Sequence, residues 1–336
     1  MKRSLNHTLI ETTIRNAIKQ IKDDPERNIR NLVDMALTFS NGRFQKHFLK
    51  SAQKMLQDPT SCYYKLVPDL INNVDTERIV SFGMNVGYNS CTIGAGKIRE
   101  IESMSSFNIP WSISLELSGN DYPQKSHSIH SLISQGRDLG VYNWLIFSLD
   151  NPIFILELAQ NFPECAFSIF CPPEEITPAL LDEASNIYNI MFVVEYGDDL
   201  ETACTLLRSR KFLYSISYPY KEQDIKKIIS DEILIDTENL HAAFTILYSH
   251  EYSFTEHSSV YQHILKIRAA QAYETVPFDI IHDNHWIDSI ISVQPCLIFF
   301  TQNGDCYSLT DQILYENCNF FSNTLFEILK KVAPQK

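Results

Sequence analysis

Five polar side chains stand where apolar runs, each of which predicts a β-strand, come to an end. Four are acidic and one is an amide: Glu116, Asp150, Asn151, Glu174 and Glu195. The carboxyl ends of parallel strands meet at one rim, and in barrel folds that rim lines the ligand cavity. Carboxylates there can orient a cationic or peptide ligand, although acidic residues at strand ends also cap the helices that follow. These five are the candidate ligand-binding residues, and both interpretations stay open.

The segment "HDNHWID" contains residue types that bind metal ions. His282, Asp283 and His285 supply two imidazoles and a carboxylate, which are ligands that zinc accepts. The segment also fits a turn between strands, because turns collect Asp, Asn and His for backbone reasons. We expect the turn and no metal site, with these three side chains as the alternative ligands.

A second histidine pair lies further towards the N-terminus. His127 and His130 are three residues apart, and Asp121 is the nearest third ligand. The expected structure is a polar, solvent-facing start of a helix. The sequence contains neither a G-x-S-x-G nucleophile turn nor a G-x-x-x-x-G-K-[ST] phosphate loop. No catalytic residue is assigned.

The chain has eight cysteines but no closely spaced pair. They are Cys62, Cys91, Cys165, Cys171, Cys204, Cys296, Cys306 and Cys318. No C-x-x-C motif occurs, which argues against a zinc ribbon or a thioredoxin-like redox site. Several lie inside apolar runs such as "CAFSIF" and "PCLIFF". We expect reduced thiols that pack as small apolar side chains.

Composition narrows the class of protein. The 336 residues are 44% hydrophobic and 12% aromatic, which predicts a substantial packed core. The formal net charge of −13 argues against a nucleic-acid surface and against an anionic membrane, because both require clustered Lys and Arg. No apolar run has the length of a bilayer span, and the N-terminal segment turns polar too early for a signal peptide. We expect a cytoplasmic protein.

The elements that position these residues follow two patterns. Residues 1–107 show helical spacing of apolar residues and predict an N-terminal helical extension. From residue 108, short apolar runs alternate with amphipathic segments, which predicts a parallel α/β sheet, open or closed into a barrel. Residues 108–250 form the expected barrel core. Residues 251–336 hold the rest of the barrel and a C-terminal segment, with a hairpin turning at Asn303-Gly304.

Five short stretches, in their order and spacing, carry a resemblance to a known family. They are "NIPW", "ISQGRDLG", "LELAQNFPECAFSIF", "VYQHILKIR" and "TQNGD". Together they resemble the radical SAM superfamily, and more narrowly its bacterial members with a helical N-terminal extension and a C-terminal SPASM-like segment. The resemblance extends over nearly the whole chain. It implies a partial (β/α)6 TIM-like barrel.

The motifs that perform the chemistry of that family are missing. The family places C-x-x-x-C-x-x-C after its first strand to bind a [4Fe–4S] cluster, but residues 118–130 contain no cysteine. A GGEP-like turn is replaced by "LDNP" at 149–152, and "TNGT" by "CPPE" at 171–174. Ile290 and Leu309 stand where relatives carry further thiols. The prediction is a degenerate member without an iron–sulfur cluster and without S-adenosylmethionine.

Three hypotheses follow for the function. The first is a catalytically inactive radical SAM-like protein acting as a binding or regulatory subunit, with an intact radical SAM enzyme, a peptide or another protein as partner. The second is an enzyme with altered, non-radical chemistry that uses a different metal or the acidic rim. The third is a protein-interaction module that works through the N-terminal helices, with the barrel able to fold without them.

Overall fold

The computed structural model describes residues 5–40, 42–249 and 258–335, without the side chains of Leu5 and Phe39. The chain begins with six α-helices and a π helix, Asn85–Gly94. The α-helices are α1 (Leu5–Ile21), α2 (Pro25–Phe39), α3 (Arg43–Met55), α4 (Tyr63–Asn73), α5 (Thr76–Met84) and α6 (Ala95–Met104). Asp24 and Asp75 cap α2 and α5 by accepting hydrogen bonds from free N–H groups in the first turns of these helices.

Seven strands then run parallel and lie side by side in chain order. They are β1 (Ser112–Leu117), β2 (Asn143–Ser148), β3 (Ala166–Cys171), β4 (Ile190–Glu195), β5 (Tyr214–Tyr220), β6 (Phe244–Ser249) and β7 (Val276–Asp279). Most of their residues are buried on both faces, which explains their continuous apolar runs. Helices connect them: α7 (Tyr122–Leu139), α8 (Ile153–Asn161), α9 (Pro178–Glu183), α10 (Leu200–Ser209), α11 (Ile225–Ile229), α12 (Glu232–Thr237) and α13 (Ser259–Ala270). The α/β fold class, a partial TIM-like barrel preceded by helices, is confirmed.

The C-terminal strands extend the sheet from its other side. After α14 (Ile280–Ile291), β8 (Ile298–Phe300) pairs in parallel with β1, while β9 (Asp305–Ser308) and β10 (Ile313–Asn319) continue antiparallel. The order of the strands in the sheet is β10-β9-β8-β1-β2-β3-β4-β5-β6-β7. The last element of the chain, after β10, is helix α15 (Leu325–Val332). The predicted hairpin is confirmed. Gly304 turns it with φ +86°, where any Cβ would lie 2.5 Å from Phe321.

The two faces of the sheet form separate apolar cores. On the convex face, side chains such as Trp144 and Phe192 pack under the connecting helices. On the concave face, Phe147 and Phe170 pack with Val74 and Phe82 from the helical extension. The extension therefore supplies part of the inner core of the barrel.

The predicted turn at "HDNHWID" is wrong, because these residues lie within helix α14. Asp279 caps the helix by accepting hydrogen bonds from the N–H groups of Ile281 (3.1 Å) and His282 (2.8 Å). Polar residues of this helix, among them His282, Asp283 and Asp288, are buried together with its isoleucines. Its buried face therefore does not show in the sequence as a helical spacing of apolar residues. In the same way His127 and His130 lie well inside α7, which begins at Tyr122.

Across the described ranges, no helix combines the length and the apolar character needed to cross a membrane.

Candidate functional site

The carboxyl ends of β1 and β2 are tied together by Asp150. Its carboxylate accepts hydrogen bonds from the Ser118 hydroxyl (2.7 Å), the Asn120 amide (2.8 Å) and the backbone N–H of Gly119. Because three donors of one short loop bind its carboxylate, this predicted ligand residue is already hydrogen-bonded within the protein. The loop after β1 is consequently held against the loop after β2.

Gly119 is required by this close approach. A Cβ built there would lie 2.7 Å from the carbonyl oxygen of Asn151 and 3.0 Å from Asp150. Contacts of that length with backbone cannot be relieved by a side-chain movement. Asn151, another predicted ligand residue, uses its side-chain oxygen to accept from the N–H of Ile153 at 3.1 Å, near the start of α8.

The remaining rim carboxylates stand at or just after the ends of neighbouring strands. Glu116, at the end of β1, is half-buried, and burial raises its pKa, with one backbone N–H from Gln302 opposing the rise. Glu174 and Glu195 are exposed. Burial, and then the charges of Glu174 and Asp150, raise the pKa of the neighbouring Glu175. The rim is thus acidic, with carboxylates at or just after the ends of four strands.

Aromatic rings fill the inside of the barrel just below this rim. Phe147 and Phe170 stack with ring centroids 4.4 Å apart, and Tyr248 and Phe299 pack around Phe147 at 5.7 and 5.9 Å. Phe147, Phe170 and Tyr248 each stand one residue before the end of their strand. A ligand resting on the carboxyl ends would meet this aromatic cluster directly.

The cysteines do not fit an iron–sulfur cluster. No group of three or more His, Cys, Asp or Glu side chains able to hold a metal ion occurs among the residues that the structure describes. Seven of the eight thiols are buried, and all eight are free. Burial raises the pKa of Cys91 and Cys204 to about 12, so both thiols are held in their neutral form within the apolar core.

The "HDNHWID" side chains form contacts with a neighbouring helix and with other residues around them in the core. Asp283 is almost fully buried and accepts two hydrogen bonds from the guanidinium of Arg268, at 3.0 and 2.9 Å. Burial raises the pKa of the Asp283 carboxyl, and Arg268 opposes that rise. The imidazole of His282 lies 2.8 Å from Asp279 and stacks on Tyr261. His285 is only partly buried.

Asp288, at the end of the same segment, is fully buried. It accepts hydrogen bonds from the backbone N–H groups of Trp111 (2.9 Å) and Cys296 (2.6 Å), and it lies 3.0 Å from the Ser292 hydroxyl. Burial raises its pKa to about 7. This carboxyl joins the residue before β1, helix α14 and the segment before β8.

A large cavity lies at the opposite end of the barrel and was not predicted from the sequence. It encloses about 710 Å³ between α1–α3, α5, the π helix and the sheet. Asn143 and Phe244, which are the first residues of β2 and β6, line it, so it lies at the amino ends of the strands. We call it the amino-end chamber. None of the five predicted rim residues lines it, and no local sequence motif marks it because its walls come from distant elements.

Comparisons with known proteins give a structural likeness only. No family model and no curated protein matches the sequence. Among solved structures, SuiB from Streptococcus suis bound to its precursor peptide SuiA aligns with 94% of this chain and 78% of its own, at 11% identity and a TM-score of 0.48. A structure of SuiB without a stated ligand aligns with 88% and 73%, at 10% identity and a TM-score of 0.48.

SuiB bound to S-adenosylmethionine aligns with 67% of this chain at 11% identity and a TM-score of 0.46. The present chain spans 64% of that SuiB chain. Likeness at this level says nothing about activity, substrate or partner.

Proposed function

We propose that this protein is a radical SAM-like scaffold that acts by binding, as a regulatory or recognition subunit, and that it assembles no iron–sulfur cluster. The observation that carries the proposal is the loop after β1. Its residues hold no thiol, and Asp150 occupies its donors with three hydrogen bonds. A loop held in this way is neither chemically nor conformationally suited to wrap a cluster.

The interior of the barrel supports the same proposal. A radical reaction needs an open space below the rim in which the cofactor and the substrate meet. Phe147 and Phe170 fill that space with stacked rings. Each buried aromatic side chain adds a large apolar contact area. The rings inside the barrel therefore stabilise the fold, whereas an empty catalytic cavity at the same place would lower its stability.

The acidic rim indicates the chemistry of a partner. Glu174 and Glu195 are exposed, and the charges of Glu174 and Asp150 both act on the neighbouring Glu175. A peptide or protein that docks on this rim would need basic side chains, and its affinity would fall as salt screens the charges. Charge reversal of Glu174 and Glu195 to lysine should weaken capture of a lysine-rich peptide, measured by fluorescence anisotropy. Equal binding by the variant would contradict a partner on this rim.

The experiment that tests the proposal is anaerobic reconstitution with iron and sulfide, followed by metal analysis and titration with S-adenosylmethionine. We expect iron well below one atom per chain after desalting, no charge-transfer absorption, and no binding heat. A cluster of about four irons per chain would overturn the proposal. Replacement of each buried cysteine by serine would then identify its ligands.

The alternative of altered chemistry is favoured by one side chain. Glu116 is a half-buried carboxyl with a raised pKa at the rim, as expected for a general acid. This alternative would be established by activity of the parent chain towards an identified substrate that Glu116→Gln lacks while still binding the substrate.

A further inference from the structure

The amino-end chamber has the size and character of a ligand site. Its volume of about 710 Å³ lies within the range of about 300–1,000 Å³ typical of small-molecule sites. Most of its wall is apolar, with Leu145, Phe170 and Met191 from the sheet facing Ile14 and Phe48 from the extension. The aromatic rings separate it from the acidic rim. A ligand in the chamber therefore does not depend on whether the rim holds an iron–sulfur cluster.

The floor of the chamber is polar and lacks internal partners. Asn143, Ser168 and Asn284 are only 5%, 4% and 6% exposed, and all three line the chamber. Within the described part of the chain, no side-chain hydrogen bond joins these three residues to the rest of the protein, and all three open onto the chamber. Polar groups in such a place can hydrogen-bond to whatever occupies the cavity, and burying them unpaired under an apolar ligand would be unfavourable. Three such groups that open onto one cavity indicate a ligand with hydrogen-bonding atoms at one end.

The chamber is uncharged. None of its described lining residues is Asp, Glu, Lys, Arg or His. A charged head group would therefore be buried without a counter-charge, which is strongly unfavourable. The ligand that fits is neutral.

Helix α3 covers the chamber incompletely. It is amphipathic, yet none of its residues is buried. Phe44 and Phe48 lie on its inner side, where Phe44 packs edge-on against Trp286 of α14 at 5.7 Å. Phe48 remains 54% exposed, as does Leu9 of α1 at 58%, and both line the chamber. Apolar side chains left open in this way become buried when an apolar body occupies the space.

We propose that the amino-end chamber binds a neutral amphiphile: an apolar chain or ring system enclosed by α1–α3, with a hydroxyl or amide group hydrogen-bonded to Asn143, Ser168 and Asn284. A peptide segment fits less well, because each of its residues brings an N–H and a C=O that need partners. The walls above the floor are mostly apolar and cannot satisfy them.

A displacement assay tests the ligand class directly on the full chain. The uncharged dye N-phenyl-1-naphthylamine reports occupancy by its fluorescence, and oleyl alcohol and oleate compete for it below their aggregation concentrations. The two competitors share one tail and differ in the charge of the head group at about pH 8. We expect oleyl alcohol to displace the dye at a concentration at least about tenfold lower than oleate. Equal or better displacement by oleate, or displacement only by an apolar peptide, would overturn the proposal.

Two glycines provide matched variants for the site. A Cβ at Gly83 or at Gly96 meets no heavy atom within 4 Å, and both positions are helical. Gly83 lines the chamber and Gly96 does not. Gly83→Phe therefore places a ring in the chamber, while Gly96→Phe places the same ring elsewhere. We expect the first to reduce dye binding at least about tenfold and the second to leave it unchanged, with melting temperatures recorded for both.

A floor variant separates the head-group contact from the apolar space. Asn143→Leu keeps the approximate side-chain volume and removes the amide. It should weaken oleyl alcohol several-fold while the dye, which fills the apolar part, binds as before. Undiminished dye binding by Gly83→Phe, or an unchanged affinity of Asn143→Leu for the alcohol, counts against the site. The comparison of alcohol with oleate needs no variant, so it remains decisive if a substituted chain fails to fold.

Discussion

At the scale of single residues, the surroundings of Asp288 determine its protonation. The Ser292 hydroxyl lies 2.7 Å from the carbonyl oxygen of Ile109 and 3.0 Å from Asp288. A hydroxyl has one proton, so it can donate to only one of these two oxygens. Donation to Asp288 favours its charged form, as do the N–H groups of Cys296 and Trp111, so these contacts oppose a rise in the pKa of the carboxyl. Full burial outweighs them and raises the pKa.

The protonation of Asp288 should make stability depend on pH. Its pKa rises from 3.8 to about 7 on folding, so between these values the folded chain holds a proton that the unfolded chain has lost. Raising the pH through this window therefore lowers the free energy of unfolding, by up to about 1.4 kcal/mol per pH unit. Above the window the effect is constant. Urea unfolding measured at intervals of pH would show the decline.

Two variants isolate this contribution. Asp288→Asn should be less stable throughout, because its amide places an N–H against a backbone N–H, and it should lose the slope that Asp288 contributes. The exposed Asp198 is the control, and Asp198→Asn should retain the slope of the parent chain. A parallel pH dependence in Asp288→Asn and the parent would show that other groups, such as the buried Glu102, are responsible.

Asp150 should control the order of the loop after β1. Asp150→Ala removes the acceptor of three hydrogen bonds and should lower the free energy of unfolding by about 1–3 kcal/mol. Amide hydrogen exchange in residues 118–121 should accelerate by a similar free energy. Asn151→Ala removes one contact to the start of α8 and serves as the neighbouring control. Unchanged amide hydrogen exchange in Asp150→Ala would show that the Asp150 carboxylate does not hold the loop after β1 in place.

At the scale of elements, the Arg268–Asp283 pair joins α13 to α14. Arg268→Met leaves an almost fully buried carboxylate without its counter-charge and should cost about 3–5 kcal/mol of folding free energy. The exposed pair Arg210–Asp182, with a similar contact of 2.7 Å, is the control, and Arg210→Met should change stability by less than about 1 kcal/mol. Chemical denaturation of both variants measures the contrast. Equal costs would mean that burial does not matter here.

The sequence predicts those elements whose apolar spacing is undisturbed. The parallel strands and the hairpin at Gly304 were predicted because their runs are continuous and their turn chemistry is local. Helix α14 was missed, because Asp283 and Asp288 are buried by pairing with residues distant in the chain, and no local pattern reports such pairs. The five rim residues were placed correctly at strand ends. That Asp150 serves the loop depends on the register between β1 and β2, which spacing alone does not specify.

At the scale of the whole molecule, the helical extension is fastened to the amino end of the barrel. The guanidinium of Arg78 donates to the carbonyl oxygens of Ala184, Ser185 and Ile187, at 3.1, 2.9 and 2.5 Å. From the π helix, the Asn85 amide donates to Cys165 at 2.8 Å. These side chains cap loops that lead into β3 and β4. The amino-end chamber exists because this contact joins two parts of the chain that the sequence presents separately.

Deletion of residues 1–107 should therefore prevent folding of the barrel. The deletion would expose the concave core, where Val74 and Phe82 pack, and would leave the carbonyl groups bound by Arg78 without partners. We expect an aggregated chain or one without a cooperative thermal transition, measured by circular dichroism. A soluble, cooperatively folding fragment would support the expectation that the extension is a detachable interaction module.

The position of β8 has a consequence for synthesis on the ribosome. β8 pairs with β1 through Ser114 and Phe299, and the N–H of Asn108 donates to the carbonyl of Ala333 at 2.7 Å. One edge of the first strand therefore stays unpaired until residues about 180 positions later have been made. Pairing between such distant residues slows folding. Until it forms, the unpaired edge of β1 is exposed and can pair with other chains. We expect nascent chains that end before β8 to remain bound to chaperones, and release to follow once β8 can reach β1.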